Sequence, residues 1–185
     1  MEGACDMTNR EQLEAMFRAR GFADFRWIDP ADIVVAEWVR MKCAYGCGSY
    51  GRKAACPPNL PSVSECREFF REYSVAVVFH FPKAVDKAED RHPWTKKMNQ
   101  GLMELEREVF LAGNRKAFLL LMAPCSLCEK CAEERAECKH PMSSRPTPEG
   151  MAMDVFATVR KVGYPIEVLS DYSQTMNRYA FLLVE

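Results

Sequence analysis

Four cysteines between positions 125 and 138 restrict this chain more than any other feature of its 185 residues. Cys125, Cys128 and Cys131 are separated by two-residue gaps, Cys138 follows after a six-residue gap, and Pro141 lies beyond Lys139-His140. Gaps of two residues let one tight loop wrap three thiolates around a face of a cubane iron–sulfur cluster, while a more distant cysteine holds the fourth iron. Bacterial ferredoxins use that arrangement with a shorter final gap and a proline directly after the last cysteine. A structural zinc also takes four cysteines, but its usual pattern is two separated knuckles rather than three successive ligands on one loop. A 4Fe-4S cluster is therefore the expected occupant, with zinc as the alternative.

A second constellation, Cys43, Cys47 and Cys56, surrounds Gly46, Gly48 and Gly51, with Arg52 and Lys53 inside it and Pro57-Pro58 after it. Glycines permit sharp turns that aim backbone N–H groups at sulfur, and the two cations offset thiolate charge. The gaps differ from the three-and-two pattern of radical SAM enzymes, so that chemistry is not inferred. Cys66 lies ten residues past Cys56 and also on the helical face of Val63, Phe69 and Phe70. It reads equally as a fourth ligand and as a small hydrophobe of the core. Without Cys66, an iron with an open position could take a substrate or an exogenous thiol.

The remaining two cysteine questions are compartment and count. Met1-Glu2-Gly3-Ala4-Cys5-Asp6 lacks the basic start and apolar run of a secretory signal, and no segment approaches the length of a membrane span. A cytoplasmic location is expected, where nine cysteines need not pair as disulfides. Cys5, near the N-terminus, reads as incidental. With 48% hydrophobic residues the chain can bury one continuous core, so residues 1–185 are expected to form a single metal-binding domain. A net charge of -1 without long like-charge runs argues against nucleic-acid or membrane partners.

Helices are expected from Thr8, as a capping box with Glu11, to Gly21, from 63 to 73 behind Ser62, from His92-Pro93 towards Gly113, and from 151 to 161 behind Thr147-Pro148. Strands are expected at 25–28, 74–81, 116–122, 166–169 and 179–184, whereas 33–41 is either a strand or an irregular lead-in to Cys43. Alternation of helices and apolar strands predicts an α/β sandwich around a mixed, mainly parallel sheet, with the cysteine loops at the sheet end. His140 could ligate or hydrogen-bond a cluster, His80 reads as a sheet-face residue and His92 as exposed. Glu129, Glu133, Glu134 and Glu137 could dock a basic redox partner, though a solvated turn explains them as well.

Trp38-Val39-Arg40-Met41-Lys42-Cys43, Tyr45-Gly46-Cys47, Tyr50-Gly51-Arg52-Lys53, Cys56-Pro57-Pro58-Asn59, Glu65-Cys66, the loop from Cys125 to Pro141, and Arg145-Pro146 with Asp154-Val155-Phe156 carry a resemblance. The chain resembles a family of small prokaryotic proteins, mostly from anaerobes, catalogued as a domain of unknown function and described as predicted metal-binding. The resemblance implies Cys43, Cys47, Cys56, Cys125, Cys128, Cys131 and Cys138 as ligand positions, with Cys66 also recurrent. The family usually has a Ser-Met-Glu-Ala-like stretch where this chain has Thr147-Pro148-Glu149-Gly150. Three functions follow from these residues: a redox protein in which one or two 4Fe-4S clusters pass electrons to an enzyme or protein partner, a cluster enzyme with an open iron at Cys43, Cys47 and Cys56 for a small-molecule substrate, or a zinc-stabilised interaction module.

Overall fold

The computed structural model of the chain describes residues 7–85, 87–171 and 174–185. In chain order the elements are α1 (Met7–Ala19), β1 (Phe25–Ile28), α2 (Glu37–Gly46), α3 (Val63–Arg71), β2 (Ala76–Lys83), α4 (Arg91–Leu111), β3 (Phe118–Leu120), α5 (Val155–Lys161) and β4 (Met176–Leu183). Cys5 and the structure of Asp86, Tyr172 and Ser173 lie outside the described residues, as does the side chain of Thr8.

The sheet corrects the expected topology: its order is β1-β2-β4-β3 and every neighbouring pair is antiparallel, not mainly parallel. Helix α4 does connect two strands of the same direction, because β2 and β3 both run against β4. A parallel pair therefore exists, but β4, from the end of the chain, inserts between its members. This is the split form of a βαβ unit, and helix–strand alternation alone does not reveal which strand will fill the gap.

Side-chain alternation sorts the core into two faces. Val77, Phe79 and Phe81 of β2 and Ala180 and Leu182 of β4 pack with Leu13 and Phe17 of α1 and Leu102, Leu105 and Val109 of α4. Ala76 and Val78 with Phe181 and Leu183 pack instead against Cys66 and Phe70 of α3 and Val155 and Val159 of α5. Ser62 and Glu65 form a full capping box on α3, as their spacing predicts.

Three local expectations are also corrected. Residues 33–41 are not a strand: only Val35 makes a bridge, to Met153, and α2 begins at Glu37. Val39 is the single buried residue of α2, so the helix leaves almost no apolar period to read. Helix α5 starts at Val155 with Asp154 as its cap, accepting from Ala157 N at 3.0 Å, while Thr147 Oγ1 accepts from Gly150 N and caps only a turn. Residues 166–169 form no strand, because both edges of β4 are already taken. Their backbone is held by side chains: Arg160 donates to Ile166 O at 3.1 Å and the Tyr179 hydroxyl donates to Pro165 O.

Candidate metal centre

Cys43 lies on α2, and Cys47 is the residue that ends it. From there the chain makes successive turns, closed by Tyr50 N to Cys47 O, Cys56 N to Lys53 O and Asn59 N to Cys56 O at 3.0–3.2 Å. Gly51 has φ 65 and donates to Pro57 O at 2.9 Å, a left-handed conformation that glycine adopts without steric cost. These turns bring the three thiols into electrostatic reach of one another. Cys47 is exposed, Cys43 half-buried and Cys56 only 7% exposed. Burial, reinforced by the neighbouring thiols and opposed by Lys53, pushes the Cys56 thiol up to about 11. Burial likewise raises Cys43, with Cys47 adding to the effect. Thiolates at such a site need a cation to hold them ionised, as a metal does.

The quartet follows β3 on a loop with one short 3-10 turn, residues 135–137, and all four cysteines are half-buried. Cys125 is raised by burial and by the other three thiols, against a backbone hydrogen bond from Leu127. Cys138 goes the other way. Slight burial opposes, but Ser144, whose Oγ is 3.5 Å from the sulfur, the His140 backbone and Arg135 hold its thiol below the ordinary value. Arg135 fastens the loop, donating to Ser144 Oγ and to Pro141 O. The His140 carbonyl accepts from Ser143 and Ser144, and its side chain is exposed. Glu129, Glu133, Glu134 and Glu137 all face solvent.

The two constellations adjoin. Lys53 Nζ donates to Cys125 O at 3.3 Å, Asn59 Nδ2 donates to Glu133 O at 2.6 Å, and Asn59 Oδ1 accepts from Arg135 N at 3.2 Å. Cys131 stands close enough to add to the upward shift of Cys56. Cys66 is placed differently: it is fully buried between α3 and the sheet, its thiol donates to Pro61 O at 3.5 Å, and Arg40, not another cysteine, is its charged neighbour.

Beside the trio opens a cavity of about 540 Å³. Cys43, Cys47 and Cys56 line it, and none of the quartet does. Trp38, Tyr50 and Phe156 contribute aromatic wall, and Arg91, Glu149 and Arg178 contribute charge. Glu149 keeps contact with solvent through the cavity, yet the protein crowded around it raises its carboxyl, against its own backbone amide, Thr147 and Arg178. Cys43 Sγ is 3.8 Å from Glu149 O. Reasoning from motifs missed these charged residues. The available signal was Arg178, a lone guanidinium one residue before the apolar run of β4.

The donor set, seven cysteine thiols in two adjoining groups, suits a centre of a soft, thiolate-binding metal. Among the described residues no three His, Cys, Asp or Glu side chains converge as the ligands of one metal ion. No curated protein and no solved structure gave a significant match to the chain. One family model matches residues 26–184, which takes in both cysteine constellations and all four strands but the first residue of β1. The chain belongs to the family described as "Predicted metal-binding protein (DUF2284)".

Proposed function

We propose that the chain is an iron–sulfur redox protein whose two constellations divide the work: the quartet holds a 4Fe-4S cluster that carries electrons, and the trio holds one with an open iron facing the cavity. The observation that supports this division is the cavity itself, which Cys43, Cys47 and Cys56 line and the quartet does not. When bound, such clusters supply single electrons, and an iron without a protein ligand adds a Lewis-acidic position.

The chain's own residues have definable tasks in this arrangement. Cys43, on the helix, and Cys56, in the buried turn, fix two ligands rigidly, while exposed Cys47 lies at the helix end between them. Lys53 lies near Cys56 and lowers its thiol pKa, favouring the ligating thiolate. Trp38, Tyr50 and Phe156 give the open position an aromatic wall. Asn59 and Lys53 hold the two loops together, which keeps the path for an electron short.

Anaerobic isolation followed by iron, acid-labile sulfide and zinc analysis tests the proposal, with about eight irons per chain expected for two cubanes. Cys128→Ser and Cys56→Ser should each remove about half of that iron. A small thiol such as 2-mercaptoethanol should perturb the electron paramagnetic resonance of the reduced protein, and the perturbation should vanish in Cys56→Ser but survive in Cys128→Ser. Colourless protein with stoichiometric zinc overturns the proposal.

A further inference from the structure

We infer that the cavity beside the trio binds a small organic carboxylate, gripped by Arg178. This deepens the open-iron proposal by naming the class of molecule that would reach it, and rests on that proposal for the reaction only; the binding stands on the cavity.

The site lies where β2 ends and β4 begins, since Lys83 of β2 pairs with Met176 of β4. Arg178 is the third residue of β4, in register with Phe81, and Arg91 stands at the start of α4. Both line the cavity. Among the described residues the guanidinium of Arg178 donates no hydrogen bond and makes no ion pair, although Glu149 lies near enough to attract it. If the role of Arg178 were to neutralise Glu149, a direct contact would be the expected outcome. Arg91 instead adds repulsion to the burial that already depresses Arg178. A carboxylate fits the guanidinium fork of Arg178 through two parallel hydrogen bonds.

A further polar side chain of the cavity wall belongs to the other face of the sheet. Asn177, also on the cavity wall, is held by His80 at 2.8 Å through one arm of its amide, and His80 is held in turn by Asp24 at 2.7 Å and stacked on Tyr179 at 5.0 Å. The other arm of Asn177 has no protein partner among the described residues. Trp38, Phe156, Ile166 and Tyr179 give the rest of the wall an apolar character. A volume of about 540 Å³ falls within the range of small-molecule sites, and apolar walls with a few convergent polar groups are their usual lining. The molecule that fits is thus an aromatic or branched aliphatic acid, its carboxylate on Arg178 and its body against the aromatic wall.

Calorimetric titration of the full chain, isolated anaerobically with its metal content measured in the same sample, tests this with benzoate and its neutral isostere benzamide as probes. Benzoate is expected to bind about tenfold more tightly than benzamide, the margin of a charge-assisted bidentate contact. Arg178→Gln should erase that preference without changing metal content, and Arg178→Lys, which keeps the charge but loses the fork, should retain part of it. Equal binding of the two probes, absence of benzoate binding up to about 10 mM, far weaker than typical for a built site, or a preference untouched in either variant overturns the inference. Unsubstituted chain that carries no iron yet still prefers benzoate would instead strike the open-iron proposal alone.

Discussion

The trio and the quartet present the same atom, a cysteine sulfur, in opposite settings. The trio is mounted on a helix end and a chain of closed turns, and it borders a cavity. The quartet rides on a loop with a single 3-10 turn and borders no part of that cavity. Ligand count and spacing therefore describe what a cysteine cluster can hold, while the surrounding walls decide whether anything else can approach it.

The largest expected effect comes from Arg145, which anchors the segment after the quartet. Its Nε donates to Glu106 Oε1 at 2.7 Å, and that buried carboxylate also accepts from Leu119 N at 2.9 Å. Arg145→Met strands the buried charge and should cost about 3 kcal/mol in urea denaturation. Iron should be lost from the quartet before the trio; equal loss from both would mean that the two loops form one unit, and the contrast drawn above would fail. Cys66→Ala should cost about 1–2 kcal/mol as a core truncation and leave the iron content unchanged. A drop by one cluster's worth would make the trio a four-cysteine site after all. Smallest is Asn59→Ala, about 1 kcal/mol from the hydrogen bonds that span the two loops. Magnetic coupling between the two reduced centres should weaken in that variant while each retains its iron.

The positions of both cysteine groups were plain in the sequence because ligand spacing is local. So were α3, whose capping box lies in Ser62 and Glu65, and the buried strands β2 and β4. Sheet direction was not, since the strand that separates β2 from β3 comes from the far end of the chain and no local pattern marks its destination. Helix α2 escaped because its exposed faces carry Trp38, Met41 and Tyr45, large apolar residues in positions where a period would require polar ones. The cavity was illegible for a related reason: its charged wall is assembled from α4, β4 and the turn at Glu149, which become neighbours only in the folded chain.

Arg40 shows how the same assembly supports the trio. Its guanidinium donates to Pro61 O and to Gly150 O, both at 3.0 Å, so one side chain from α2 pins the start of α3 to the turn beneath the cavity. The family's cysteines thus stand on a frame that side chains knit across the chain, in addition to the sheet.

The stretch from 166 to 169 has a different standing. It lines the cavity through Ile166, Glu167 and Leu169, yet belongs to no ladder and is fastened near its start by Arg160 and Tyr179. Exchanges or insertions there would recut the mouth of the cavity without shifting a strand or a cysteine. Two proteins with this sheet and these cysteines could diverge in the molecules they accept through that one wall, much as a lock is rekeyed without replacing the door.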